Sequence, residues 1–360
     1  MAAAFYDNKP ALSIVLPKPS PSSTYNNLTL SGHSLIYSSA HQACMLQPSS
    51  LIAGQVAAVR RIDCLSGEGV HSVCAIPHGE TGFVVMATDG GVQVWDKPGL
   101  HLLFQWSFPV SDANSSGSSP AAQQALTESE THVRHQLFAR SSTILLAADG
   151  SANICFGASS GDVHVLQVDE LGRFQGPSTF HHHKAPITAM GSAYQSRHGR
   201  TAEDVSPLLL TADESGVVIV WKADSAESYK VVRTLGSATV PATSIAIRKD
   251  CAIVARLDGS VQVYGLKDGK LRAEIAAHSR WLTCMDIHPL KDIIVTGGED
   301  GMIAVWMLPV GGQKAAVLLS TVWMHATVTG VAFCGPTFDD VAAVAFDTDE
   351  LQLFKLLLPS

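Results

Sequence analysis

One nine-residue pattern recurs six times along this 360-residue chain. It reads ATDGGVQVW (87–95), ASSGDVHVL (158–166), DESGVVIVW (213–221), RLDGSVQVY (256–264), GEDGMIAVW (298–306) and FDTDELQLF (346–354). Each copy is a tight polar turn feeding a short run of alternating apolar and polar residues that ends on a large side chain. That is the signature of a turn followed by a strand. The final residues fall at 95, 166, 221, 264, 306 and 354, so successive gaps are 71, 55, 43, 42 and 48. A period near forty, built from short strands, means an array of antiparallel meanders that bury their faces by stacking on one another.

Two gaps exceed the period, and both contain insertions. Residues 111–133 (SDANSSGSSPAAQQALTESETHV) lack aromatics and are expected to be a flexible excursion. Residues 191–207 (GSAYQSRHGRTAEDVSP) are polar and locally basic, and are expected to split the first and second strands of their unit. Upstream, residues 26–46 read as three weaker strands broken by Ser-Gly-His and Ser-Ala-His, a degenerate seventh unit. Before them stands a β-rich run, LSIVL (12–16), preceded by residues 1–10, which are expected to be disordered.

The clearest unit is HSRWLTCMDIHPLKDIIVTGGEDGMIAVW, residues 278–306. It resembles a WD-repeat blade, with His278, Thr296, Asp300 and Trp306 at the positions where that family has its His, Ser/Thr, Asp and Trp. The resemblance implies an all-β fold: a single WD-type propeller over residues 11–360, with seven four-stranded blades closed by an N-terminal strand. Closure matters because an open ring leaves two unpaired sheet edges. The resemblance implies that LSIVL is the outer strand of a final blade over residues 317–356. It also implies a buried hydrogen-bonded tetrad in the sixth blade. The fourth blade would carry His183, Thr211 and Trp221, with Ser215 where Asp is usual. The second has Asp89 and Trp95 without a matching His, and the fifth has Asp258 with Tyr264. The third and seventh end on Leu166 and Phe354. Residues 186–354 are similar to one branch of the family in particular, which implies a scaffold and carries no catalytic residues across.

Few features suggest chemistry. His181-His182-His183 could ligate a metal, but neighbouring strand residues point to opposite faces and no Cys or carboxylate stands at ligand spacing. Aligning His183 with His278 makes it structural instead, so neither a metal nor a cofactor is expected. No phosphate-binding loop, nucleophile elbow or His-Glu-x-x-His motif occurs. Asp89, Asp258 and Asp300 fall in turns, where their carboxylates accept backbone N–H bonds. A hydrolase-like site would need such groups to converge from several blades.

The net charge of −8 opposes nucleic-acid binding, and the basic clusters at Arg60-Arg61 and Arg197/Arg200 lack interleaved aromatics. No 18-residue apolar run is present, so no membrane insertion is expected. Seven cysteines without a C-x-x-C, and an N-terminus unlike a signal peptide, suggest reduced thiols in the cytoplasm. Asn27 and Asn114 head glycosylation sequons that are read as chance matches.

The functional expectation is a non-enzymatic interaction scaffold whose partners are other proteins, a second copy of the chain among them. A fixed subunit of a larger trafficking or ciliary assembly is the alternative. Three residues after its tetrad His the WD family exposes a side chain on the top rim. Here that position is Trp281, preceded by Arg280, and Pro186 in the fourth blade, near Lys184; Met324 beside His325 is placed on the same rim. Tryptophan and arginine are enriched where binding energy concentrates.

Overall fold

The structure is a computed structural model that describes residues 4–5, 9–16, 21–31, 34–47, 58–76, 82–109, 137–149, 151–169, 172–193, 207–236, 239–311 and 315–357. Seven antiparallel sheets follow one another along the chain. They give blades 1 to 7 over residues 29–63, 70–107, 139–181, 187–235, 242–276, 282–323 and 328–357. In each blade the strands lie in chain order, and the first strands of successive blades contact one another around the ring, blade 7 meeting blade 1. The first strands therefore line an axial channel and the fourth strands form the outer rim. The seven-bladed propeller expected from the repeat is the fold observed.

Burial explains why these segments are strands. Middle strands such as Phe83–Thr88, Cys251–Arg256 and Ile293–Gly298 are buried throughout, because both faces stack on neighbouring blades. Outer strands show the half-buried period of two, as in Leu102–Ser107, where partly buried and exposed residues alternate. Seven apolar clusters fill the ring, most of them combining side chains from two adjacent blades.

Leu12–Val15 pairs with Glu350–Leu357, Leu12 opposite Leu353 and Val15 opposite Glu350. LSIVL thus closes the ring on blade 7. Three boundaries differ from expectation. Val317–Trp323 is the outer strand of blade 6, paired with Met302–Met307, so the final blade starts at Val328. Inside the segment expected to be disordered, Ala4–Phe5 pairs with Leu356 and Leu357, extending the closing strand. Gly191 and Ser192 belong to the strand Ile187–Ser192, where they continue the ladder with Leu210 and Leu209, so the insertion starts later. Residues 194–206 of that insertion, and all of residues 111–133, lie outside the described residues.

Candidate functional site

The end of the propeller that carries the second-to-third-strand turns and the connections between blades is called the top. One backbone bond recurs there: the turn donates an N–H to the carbonyl of the residue just before the blade's first strand. It joins Asp89 to Gly69 (3.1 Å), Ser159 to Phe138 (2.9 Å), Glu214 to Pro186 (2.9 Å), Leu257 to Pro241 (2.9 Å), Glu299 to Trp281 (2.8 Å) and Phe346 to Thr327 (2.8 Å). These six carbonyls mark structurally equivalent rim positions. Pro186 and Trp281 are equivalent, as the spacing from His183 and His278 implies.

Blade 7 corrects the alignment. Its equivalent residue is Thr327, not Met324, which lies three residues earlier and is buried at 5% exposure in the core shared by blades 6 and 7. Met324 N–H donates to the Gly301 carbonyl (2.7 Å), just as the N–H groups of Ala277 and His278 donate to that of Gly259 (3.0 Å each). Gly301 has φ 76°, and a Cβ there would lie 2.4 Å from the Met324 carbonyl oxygen, so that approach requires glycine.

Trp281 stands on a rigid base. Around it, His278 Nδ1 meets Asp300 (3.0 Å), the Ser279 N–H donates to Asp300 Oδ2 (3.1 Å), and the Trp281 carbonyl is held by Glu299. Yet its side chain is 53% exposed. Arg280 beside it is exposed and 3.7 Å from Glu299, a loose surface pair worth little on its own. In blade 4, Lys184 is exposed and Pro186 is partly buried. Sequence reasoning passed over two more exposed aromatics at this end: Trp323, closing the outer strand of blade 6 (58%), and Phe346, in the blade 7 turn (49%). Phe346 was legible as a phenylalanine inside a polar turn. Trp323 was hidden because a strand terminus and a buried strand position carry the same residue types.

The tetrads reverse the expectation. Blade 4 has the complete chain, with Asp213 as the carboxylate in place of Ser215. His183 Nδ1 is 2.7 Å from Asp213 Oδ2 and its Nε2 is 2.7 Å from Thr211 Oγ1, which accepts from Trp221 Nε1 at 2.7 Å. Ser215 caps the other oxygen, its N–H and hydroxyl donating to Asp213 Oδ1 (3.0 and 2.6 Å). Burial holds His183 below the ordinary imidazole range despite the pull of Asp213. A neutral ring fits a one-way relay from indole N–H to hydroxyl to Nε2, with Nδ1–H donating to the carboxylate. In blade 6 His278 joins Asp300 and Thr296 (2.9 Å), but the buried Trp306 Nε1 has no partner, so that tetrad is open. In blade 2 a histidine is present after all: His71 Nε2 lies 2.7 Å from Asp89. Blade 5 uses another device. Fully buried Arg256 donates to Gln262 Oε1 (2.6 Å) and to the Gly216 and Val240 carbonyls (3.1 and 2.7 Å), while Tyr264 donates to the same Gln262 oxygen (2.8 Å).

The three successive histidines part company. His181 pairs with Asp162 (2.5 Å), His182 lies edge-on to Trp221 (5.6 Å between centroids) and His183 enters the tetrad. Among the described residues no group of three or more His, Cys, Asp or Glu is arranged to hold a metal. Asp89, Asp258 and Asp300 each bond within their own blade: to Gly69 and His71, to Ser260, and to His278 and Met302. Asn27 is 5% exposed with its carboxamide bonded to Ser22 and Ser38, so its sequon is closed to a glycan in this fold, whereas Asn114 lies outside the described residues.

Comparison with known proteins agrees with this geometry. The WDR54 family profile matches residues 11–356. WD repeat-containing protein 54 from Mus musculus is 24% identical over 276 residues, covering 75% of this chain and 74% of that protein. Its Homo sapiens counterpart is 22% identical over 277 residues, covering 76% and 74%. The Homo sapiens nucleoporin Nup43 is 24% identical over 146 residues, 39% of this chain and 37% of that one. Among solved structures, a chain in the crystal structure of the Mitotic Checkpoint Complex superposes with TM-score 0.71 at 14% identity, covering 99% of this chain and 93% of that chain.

Proposed function

The chain belongs to the WDR54 family, and from that membership we propose that it is a protein–protein interaction scaffold docking partners on the top face of blades 6 and 7. The observation that supports this reading best is Trp281, an indole more than half exposed on a backbone pinned from both sides. A rigid, pre-exposed aromatic loses little conformational entropy on binding and contributes much contact area, which is the character of a hot spot. Arg280 adds a cation for a partner carboxylate. Supporting the general role, similar chains include a nucleoporin and a component of the Mitotic Checkpoint Complex. Seven free, buried cysteines support a cytoplasmic address as part of the same proposal.

Affinity capture from the native cell, followed by titration of the captured partner, tests this. Trp281→Ala should weaken binding by about 2 kcal/mol, roughly thirtyfold in Kd, and leave the melting temperature nearly unchanged. Unaltered affinity in an Arg280→Ala/Trp281→Ala variant would move the docking surface elsewhere. A large fall in melting temperature would make Trp281 a packing residue.

A further inference from the structure

The innermost strand of blade 1 is cut short. It comprises Thr29–Ser31 and pairs with Ser34–Ser39 in a register that sets Thr29 opposite Ile36. Continued upward, that register would place Asn27 opposite Ser38. There the main chain leaves the sheet, but the Asn27 side chain stays and makes the missing ladder bonds. Its Oδ1 accepts from the Ser38 N–H (2.6 Å) and its Nδ2 donates to the Ser38 carbonyl (3.0 Å). The carboxamide stands in for its own backbone.

The freed backbone crosses the axial channel. The Asn27 N–H donates to the Thr329 carbonyl of blade 7 (2.8 Å), and the Asn26 N–H to the Thr283 carbonyl of blade 6 (3.2 Å). Asn26 takes the left-handed conformation (φ 53°), which asparagine tolerates better than most residues. Its side chain accepts from the Met285 N–H of blade 6 (3.0 Å) and donates to the Thr243 carbonyl of blade 5 (2.6 Å). Thr24 and Tyr25 share a narrow crevice with His71, Ser72 and Val73 of blade 2.

These bonds have a common feature. The channel-facing edge of every first strand carries backbone groups with no fifth strand to pair with. At some positions a side chain from the preceding blade answers them: Ser141 Oγ accepts from the Met190 N–H (3.1 Å) and Asp286 from the Phe333 N–H (2.8 Å). At Thr243, Thr283, Met285 and Thr329, on blades 5 to 7, the partner is residues 26–27. Here a turn of the chain, not an added strand, caps the open inner edges of three blades at once.

We propose that residues 22–28 are a channel plug, an intramolecular occupant of a site on the inner edges of blades 5 to 7 that accepts a peptide turn presenting an asparagine. With the plug seated, the channel is closed to such segments and partners meet the top rim only. Moving residues 26–28 back into the blade 1 ladder would open the edge: the Asn27 backbone would take over the Ser38 bonds now made by its side chain, and the bonds to Thr243, Thr283, Met285 and Thr329 would be given up. This inference does not depend on Trp281.

The test uses the full-length chain. Asn26→Gly keeps the left-handed backbone and deletes both side-chain bonds. Hydrogen exchange at the Met285 amide should then be at least about tenfold faster, with the amides bonded between first and second strands unchanged. A labelled synthetic peptide of residues 21–29, PSSTYNNLT, should bind the variant at least about tenfold more tightly than the parent and restore Met285 protection. Unchanged Met285 exchange would show that Asn26 does not hold the plug. Fast exchange without peptide binding would show that the edge is no binding site. Should Asn26→Gly fail to fold, Asn26→Asp sets a carboxylate against the Thr243 carbonyl, expels the plug by repulsion and is read by the same two measurements.

Discussion

Replacing Trp221 by Ala is expected to destabilise the protein by about 3–5 kcal/mol, the range for a buried aromatic, and by far more than the same change at Trp306. Trp221 is 3% exposed, packs in the core between blades 3 and 4 with Phe180 and Tyr229, and its indole N–H starts the only complete relay seen among the described blades. Its loss leaves both a cavity and a Thr211 hydroxyl short of one partner. Trp306 is only partly buried, and its N–H is already without a partner, so its removal relieves a polar atom while losing some packing. About 1–2 kcal/mol is expected there. Chemical denaturation of both variants checks this. Equal losses would mean that the hydrogen-bonded chain adds nothing to blade 4.

That contrast shows how much of the molecule was legible. Architecture was written in a feature that repeats: turn, alternating strand, large terminal residue, and a spare β-rich run to close the ring. Six copies tolerate errors in any one. The sites are single positions, and a shift of one or two residues redirects a side chain. Asp213 was missed because it stands two residues before the aligned position, which Ser215 occupies and from which it caps the carboxylate. Met324 was placed on the rim as the neighbour of His325, and only the backbone bond from Phe346 to Thr327 reveals the true equivalence. The Arg256–Gln262–Tyr264 network and the Asn26–Asn27 plug belong to no motif; each depends on carbonyls contributed by another blade or by a distant strand. A tetrad is therefore one solution among several to the same requirement, that buried donors and acceptors in every blade find partners.

Acidification should destabilise the fold, with the loss concentrated between about pH 6.5 and 4. His164 and His288 carry most of it. His164 is 6% exposed, enclosed by the rings of Trp106, Phe108 and Phe156, and its Nδ1 meets Thr179 (2.9 Å). His288 is fully buried beside Phe333, and its Nδ1 accepts the N–H groups of Leu290 and Lys291 (3.0 Å each), bonds that protonation would break. Burial pushes each ring down to about 4, from an ordinary value near 6.5. The unfolded chain then binds more protons than the native one in that window, so stability falls as pH falls, by about 3 kcal/mol for each ring. Asp286 acts in the opposite sense. Burial raises it to about 6, so its native form takes up a proton before the unfolded form does, returning roughly 3 kcal/mol over nearly the same range. His183 and His278, also held low by burial, add to the loss. The net expectation is a decrease of at least about 3 kcal/mol from pH 7 to pH 4.5, measured by urea denaturation. Asp286→Asn should steepen the dependence. His288→Asn, which keeps an acceptor for the two backbone N–H groups and cannot take up the proton, should flatten it. A stability profile that is level across this window would mean that the two buried imidazoles stay neutral at no cost to folding, and would overturn the assignment.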